Sequence, residues 1–245
     1  MLEKTRLLPF NQVTKNKTRF SDLSGLKDFF LDEKKYTLAD MPYKDPYNIF
    51  KMWFQEAKEL SDLINPLIAC LATSTRTGVP SVRYMLIDSF NEHSFKFFTF
   101  HTSRKGKELK ENPLASMCFF WAPFLRTVRI EGHVEQLPDA VADELFDKRS
   151  YESQINMHCS SQSERVTSCK VLMERENQKR KMFNPASVPR PSNLGWFALV
   201  PSVVEFWQIK QKKERVRYRK PSPGEVLDKL THQGEKGWVY EYMEP

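Results

Sequence analysis

The chain has few cysteines and none of the spacings that give cysteine a chemical role. Cys70, Cys118, Cys159 and Cys169 form no CxxC pair and no Cys/His metal spacing. Reduced thiols in a cytosolic protein are the simplest account, so no metal site is expected. No apolar run approaches the roughly 20 residues needed to cross a bilayer, and no signal-peptide apolar segment is present. A cytoplasmic protein without a membrane partner is therefore expected. There is no GxSxG, no HExxH and no P-loop. The five histidines are scattered: His133 sits mid-strand, and His158 beside Cys159 is too little for a metal. No catalytic residue is identified. An enzyme without its own acid–base machinery would need a cofactor. Internal repeats and low-complexity segments are also absent.

What is present suits a folded protein with an anionic partner. The 245 residues are 40% hydrophobic and 13% aromatic, enough for a sizeable core. A net charge of +7 favours a phosphorylated small molecule, nucleic acid or an acidic membrane, without choosing among them. Residues 1–44 lack sustained periodicity and read as a flexible arm, basic over the first twenty positions. Residues 45–245 read as one domain.

Asp45-Pro46 opens a helix, with Asp as cap and Pro at the first helical position. Ile49, Phe50, Trp53, Ala57 and Leu60 share its apolar face. Strands are expected over Leu67–Ser74 and Pro80–Asp88, joined by a turn at Thr75–Gly78. Further strands are expected from Phe95, over Ala115–Trp121 and over Arg126–Glu135. Five strands within about seventy residues, joined mostly by short turns, indicate an antiparallel barrel rather than alternating strands and helices. Helices are expected over 138–148 and 164–182, inserted before the last strands, with polar, irregular chain over Ser150–Ser163. Trp196–Val200, Val203–Lys210 and Arg215–Arg219 read as strands, and Gly237–Met243 closes the chain.

The most informative stretch is Ser94–Leu109, SFKFFTFHTSRKGKEL. It begins as a strand; Ser103 then caps a helix whose first residues are Arg104 and Lys105. A helix start with unpaired N–H groups and two cations is a place where anions bind. The plainer reading is a solvated helix face. Arg83, mid-strand in PSVRYMLID, is either solvent-facing or a phosphate contact beside Arg104 and Lys105; Arg126 and Arg129 pose the same choice. The run Lys210–Lys220, KQKKERVRYRK, suits a nucleic-acid patch or a charged edge hairpin. The edge reading is preferred because the run directly follows the apolar VVEFW, so nucleic acid is not expected as a partner.

The segments PSVRYMLID, FKFFTFHTSRKGKEL, RTVRIEGHVEQLP, SQINMHCSSQS, VEFWQ and GWVYEYMEP resemble, in order and spacing, those of pyridoxine (pyridoxamine) 5′-phosphate oxidases. The resemblance covers about residues 45–245. It implies a mainly β fold with flanking helices, the six-stranded antiparallel FMN-binding split barrel. It also implies a homodimer with FMN at the interface. The implied reaction is oxidation of pyridoxamine or pyridoxine 5′-phosphate by O2, giving pyridoxal 5′-phosphate and hydrogen peroxide. By position, FMN contacts fall on Arg83, Tyr84, Met85, Leu86, Phe98, Thr99, Arg104, Lys105, Gln162, Ser163, Trp207 and Arg217. A further contact is a Gln in the family and Thr127 here.

The positions implied for substrate depart from the family. A Lys and a Tyr of its phosphate grip become Asp88 and Leu145, whereas Arg149 and Ser153 are kept. Its Arg-x-His pair becomes Lys213 and Arg215. An anion at position 88 opposes a phosphate dianion by several kcal/mol at contact, taking an effective dielectric of about 20. Two readings follow: an oxidase of the vitamin B6 family, weakened or with a shifted substrate, or a catalytically silent dimer that binds FMN or pyridoxal phosphate.

Overall fold

The computed structural model describes residues 36–60, 65–209 and 212–245. Most of the expected 1–44 arm lies outside the described residues, as does Lys210. Among the described residues there are ten strands and five α-helices. Helix α1 (Pro46–Leu60) starts as the sequence requires: the Asp45 carboxylate accepts from the Tyr47 N–H at 3.1 Å and from Asn48 Nδ2 at 2.9 Å. Its apolar face is buried through Ile49, Phe50, Trp53 and Ala57; the side chain of Leu60 lies outside the described residues.

Strands β1 (Ile68–Ser74) and β2 (Pro80–Leu86) form a hairpin, and Gly78 supplies the positive φ (+85°) its turn needs. The short β3 (Ser89–Phe90) pairs with β4 (Phe95–Phe100), which leads into α2 (Arg104–Glu111). Then come β5 (Leu114–Trp121) and β6 (Arg126–Gln136). Helices α3 (Asp139–Asp147), α4 (Tyr151–Cys159) and α5 (Lys170–Met182) separate β6 from β7 (Leu194–Ile209). Strands β8 (Lys213–Arg219), β9 (His232–Gln233) and β10 (Val239–Tyr242) finish the chain. The sheet runs β2-β1-β5-β6-β7-β8-β10-β9, all antiparallel, and β4 adds to the first half of β7.

Three expectations need correction. Residues 150–163 are not irregular throughout: Ser150 Oγ accepts from the Ser153 N–H at 3.3 Å and caps α4. The polar segment YESQINMHC hides this helix because it buries only Gln154, Ile155 and Met157. Helix α5 starts at Lys170, six residues later than expected from 164. The two strands expected on either side of Pro201 are one 16-residue strand, β7. Pro201 is tolerated because the β6–β7 register shifts between Glu131 and Gly132. Gly132 is needed at that point, since a Cβ there would lie 1.9 Å from the Val200 carbonyl oxygen.

The main core lies between α1 and the curled sheet. Phe50 sits at its centre, with ring centroids 4.8 Å from Phe90, 4.9 Å from Phe95 and 5.0 Å from Phe119. Burying each such ring is worth roughly 1.5–3 kcal/mol. Arg126, far from being a ligand contact, is fully buried here. Its guanidinium stacks 4.4 Å from the Trp53 ring, pairs with Glu56 and donates to Gln208 at 3.1 Å, tying α1 to the sheet. A second cluster, Phe100, Ala142, Phe146, Met157, Val188, Leu194 and Trp196, seats α3 and α4 against β4 and β7. No helix among the described residues is long and apolar enough to cross a membrane.

Candidate functional site

Strand β4 delivers the chain to α2 through a tight, hydrogen-bonded corner. Ser103 is extended (φ −66°, ψ 160°), and its Oγ accepts from the Gly106 N–H at 3.2 Å. Thr99 Oγ1 lies 3.1 Å from the same hydroxyl. This capping places Arg104 and Lys105 in the first turn of α2, at the positive end of the helix dipole. On the facing hairpin, the register sets Arg83 opposite Leu71 and Ser81 opposite Thr73. Arg83 donates to the Leu71 carbonyl at 3.1 Å, to Thr73 Oγ1 at 2.6 Å and to Ser81 Oγ.

One buried carboxylate organises these groups. Glu108 accepts from Thr73 Oγ1 at 2.5 Å, from Ser81 Oγ at 2.6 Å and from Arg104 Nε at 2.9 Å; Arg83 Nη2 is 3.5 Å away. Burial pushes the Glu108 carboxyl up, but the donors from Ser81, Thr73 and Arg104 outweigh it and hold it down at about 2. The Lys105 ammonium lies deeper, 2.7 Å from Gln162 Oε1 and 3.3 Å from Thr99 Oγ1. Burial, then repulsion from Arg83, lowers it from 10.5 to about 8. Ser163 closes the corner: its Oγ accepts from the Arg104 N–H at 3.1 Å while its backbone sits at φ +73°. That left-handed conformation costs a non-glycine residue about 1–2 kcal/mol.

These groups face a cleft of about 530 Å³. One end carries Arg83, Arg104 and Lys105; Met85, Leu86 and Phe98 give it an apolar wall. Three cations around a single carboxylate, beside a helix N-terminus, suit a phosphate; the apolar wall suits a flat ring.

The cleft gathers most of the residues expected to hold cofactor. Arg83, Tyr84, Met85, Leu86, Phe98, Arg104, Lys105, Gln162 and Ser163 line it, and Thr99 is bonded to Lys105 and Gln162. Thr127, Trp207 and Arg217 are not among its lining. Thr127 lies opposite Trp207 in the β6–β7 register, Trp207 opposite Arg215 in β7–β8, and Arg217 donates twice to Glu241, at 3.0 and 2.5 Å. None of the expected substrate residues is among the lining of the cleft. Asp88 and Arg149 are ion-paired to each other. Leu145 packs against the second core cluster, and Ser153 lies in the first turn of α4. Lys213 and Arg215 lie on β8, where Arg215 pairs with Glu205 at 2.9 Å. Arg129 also pairs with Glu205 at 2.9 Å rather than reaching the cleft. The sequence reading missed Thr73, Ser81 and Glu108. The i,i+4 spacing of Arg104 and Glu108 at a helix start was the available signal for Glu108.

The family model described as pyridoxamine 5′-phosphate oxidase matches residues 55–207, which include the cleft. The chain belongs to the pyridoxamine 5′-phosphate oxidase family. A Bombyx mori relative, named pyridoxine/pyridoxamine 5′-phosphate oxidase, is 39% identical over 230 residues, covering 91% of this chain and 90% of its own. The Bos taurus pyridoxine-5′-phosphate oxidase is 38% identical over 218 residues, covering 87% and 84%. Among solved structures, PhzG from Burkholderia lata 383, in complex with tetrahydrophenazine-1-carboxylic acid, superposes with a TM-score of 0.74 at 24% identity. It covers 87% of this chain and 98% of its own. A pyridoxamine 5′-phosphate oxidase-related, FMN-binding protein from Nostoc punctiforme has a TM-score of 0.63 at 15% identity, covering 81% and 96%. These likenesses establish the fold of this pyridoxamine 5′-phosphate oxidase family member: mainly β with flanking helices, the FMN-binding split barrel.

Proposed function

We propose that this protein is an FMN-dependent oxidase of a vitamin B6 compound. It converts the aminomethyl or hydroxymethyl carbon of pyridoxamine or pyridoxine, or of their 5′-phosphates, to the aldehyde. Oxygen is reduced to hydrogen peroxide; the amine reaction also takes up water and releases ammonia. The observation that carries this reading is the cation surplus at the start of α2: among the described residues Arg83 and Arg104 pair with Glu108, and Lys105 contacts the neutral Gln162. The donor set fits the phosphate of FMN, and Met85, Leu86 and Phe98 fit its ring. FMN supplies the two-electron acceptor that the side chains lack. The protein's part is to hold and orient the reactants: Glu108 aligns Arg83 and Arg104, while Gln162 and Ser163 fix Lys105 and the helix start.

The active unit in this proposal is a homodimer. Thr127, Trp207 and Arg217 reach flavin from a second copy rather than within one chain. Support comes from the outer sheet face, where Ile68, Val82, Tyr84, Leu86 and Phe120 are exposed apolar side chains, Tyr84 at 79%. Phe120 lies opposite Thr127, and Thr127 opposite Trp207, so this apolar face continues to those residues. A nucleic-acid role for the basic hairpin has less support, because Arg215, Arg217 and Arg219 each face a glutamate.

The test is to load the purified protein with FMN and add pyridoxine, pyridoxamine and their 5′-phosphates without oxygen. Bleaching of the flavin absorbance by any of them, with peroxide formed when air is admitted, is expected. Stable FMN binding with no bleaching by all four would leave the silent binding protein as the reading.

A further inference from the structure

Behind the cationic end of the cleft, the hydrogen bonds of Thr73, Ser81 and Glu108 run in one direction only. A guanidinium can only donate, and a carboxylate can only accept. Arg83 donates to Thr73 Oγ1 at 2.6 Å and to Ser81 Oγ. Each hydroxyl has one proton and gives it to Glu108 Oε2, Thr73 at 2.5 Å and Ser81 at 2.6 Å. The other carboxylate oxygen, Oε1, accepts from Arg104 Nε at 2.9 Å. The Glu108 side chain is 4% exposed; despite that burial, the donors from Ser81, Thr73 and Arg104 hold its carboxyl down at about 2. It is therefore ionised at any working pH. Glu108 is not among the lining of the cleft, whereas Ser81, Arg83 and Arg104 are. Both terminal nitrogens of Arg83 are engaged on the hairpin. Among the described residues Arg104 is tied through Nε, which leaves its two terminal nitrogens as a fork for an anion. If charge were all that counted, removing Glu108 would make the cradle more positive and tighten its hold on phosphate. The directed bonds argue the reverse.

We infer that Glu108 is a positioning residue for the cofactor phosphate: acting through Arg83 and Arg104, its carboxylate makes the cleft favour a phosphorylated flavin over the same ring without phosphate, against the sign of its own charge. The inference rests on the FMN reading and names the group that makes that site selective. Glu108→Gln is the direct probe, because a glutamine amide has a single acceptor oxygen. Turned to take both hydroxyl protons, it sets its NH2 against Arg104 Nε; turned the other way, both hydroxyls lose their acceptor. Either orientation unsettles the arginines while removing a negative charge.

The experiment titrates the full-length protein, freed of flavin, with FMN and separately with riboflavin, read by flavin fluorescence. The unmodified protein is expected to bind FMN more tightly. In E108Q, FMN affinity should fall about tenfold or more while riboflavin affinity is unchanged, because only the phosphate meets the arginines. A damaged fold would weaken both flavins together, so their ratio separates positioning from structure. Ser81→Ala keeps every charge but removes one donor to Glu108 and one acceptor from Arg83. It should weaken FMN about fivefold, again without moving riboflavin, and it carries the test if E108Q does not fold. An E108Q that binds FMN as tightly as before, or more tightly, overturns the inference and hands the site to charge alone. Equal losses for both flavins overturn it too, as does an S81A with unaltered FMN affinity. Each of these results leaves the FMN reading standing. An unmodified protein that binds neither flavin, or both equally, removes the phosphate site and this inference with it.

Discussion

Two clusters of cations lie on this sheet, and they differ in how many carboxylates they meet. At the start of α2, among the described residues, Arg83 and Arg104 pair with the one carboxylate of Glu108, and Lys105 feels the same charge without a contact to it. On β6, β7, β8 and β10, Arg129, Arg215, Arg217 and Arg219 meet Glu131, Glu205 and Glu241 of the strands and Glu225 of the loop after β8, one carboxylate for each guanidinium. The register builds this ladder: Arg129 lies opposite Glu205, Glu205 opposite Arg217, and Arg217 opposite Glu241. The pair Arg104-Lys105 and the run Arg215–Arg219 look alike in the sequence, as basic residues at short spacing. The difference teaches that an anion site is marked by an unmet surplus of cations beside a helix start, whereas matched cross-strand pairs hold a sheet together.

Lys105→Met breaks the comparison most sharply. Lys105 is buried, and its ammonium lies within hydrogen-bond range of the neutral oxygens of Gln162 and Thr99. A charge-assisted bond to phosphate is worth about 1.5–3 kcal/mol, so FMN affinity should fall roughly 10- to 100-fold, read by quenching of flavin fluorescence. Methionine also removes a buried ammonium, so the ligand-free protein should melt no lower than the unmodified one. An unchanged FMN dissociation constant would remove Lys105 from the site and the surplus argument with it.

How far the sequence reached follows from what each signal depends on. The cation cradle was legible because a strand, Ser103 and a helix start are local features, and local geometry put Arg104 and Lys105 together. Glu108 was not singled out, because its importance comes from Thr73 and Ser81 on another hairpin, which only strand register brings near. Pro201 read as a strand break because its tolerance depends on a bulge opposite it in β6. Helix α4 gave no clear apolar periodicity, since its buried residues are Gln154, Ile155 and Met157, and the first of them is polar. The change to Asp88 was visible in the sequence, but its pairing with Arg149, sixty-one positions later, was not.

A pH titration sharpens the same comparison with a smaller effect. Lys105 in the free protein is lowered to about 8, first by burial and then by Arg83. A phosphate bound beside it favours the protonated form, so the bound-state value is higher. Between the two values, binding takes up a proton, and FMN affinity should fall by up to about tenfold per pH unit above 8. For the fold itself the sign is opposite. The unfolded chain holds this proton up to 10.5, so the ligand-free protein gains stability from this group as pH rises from 8 to 10.5. Titration of FMN from pH 7 to 9.5 checks the first effect, and K105M should flatten it. A slope that survives in K105M would assign the proton to another group.

Arg219→Ala should have the smallest effect, for reasons internal to the ladder. Arg219 donates to Glu241 at 2.8 Å and to both oxygens of Glu225, at 2.9 and 2.5 Å. Its hydrogen bonds to Glu225, then to Glu241, hold its guanidinium above the usual arginine range. Yet each glutamate keeps a donor when Arg219 is gone: Arg217 remains on Glu241, and the Ser222 N–H remains on Glu225 at 2.8 Å. The three side chains are also 13–25% exposed, so water can replace what is lost. The expected cost is about 1 kcal/mol or less in a urea titration. FMN affinity should stay at the unmodified value, because the matched ladder offers Arg219 no unmet charge for phosphate. If R219A weakened FMN as strongly as K105M does, the ladder would be a ligand surface, and counting carboxylates would not separate the two clusters.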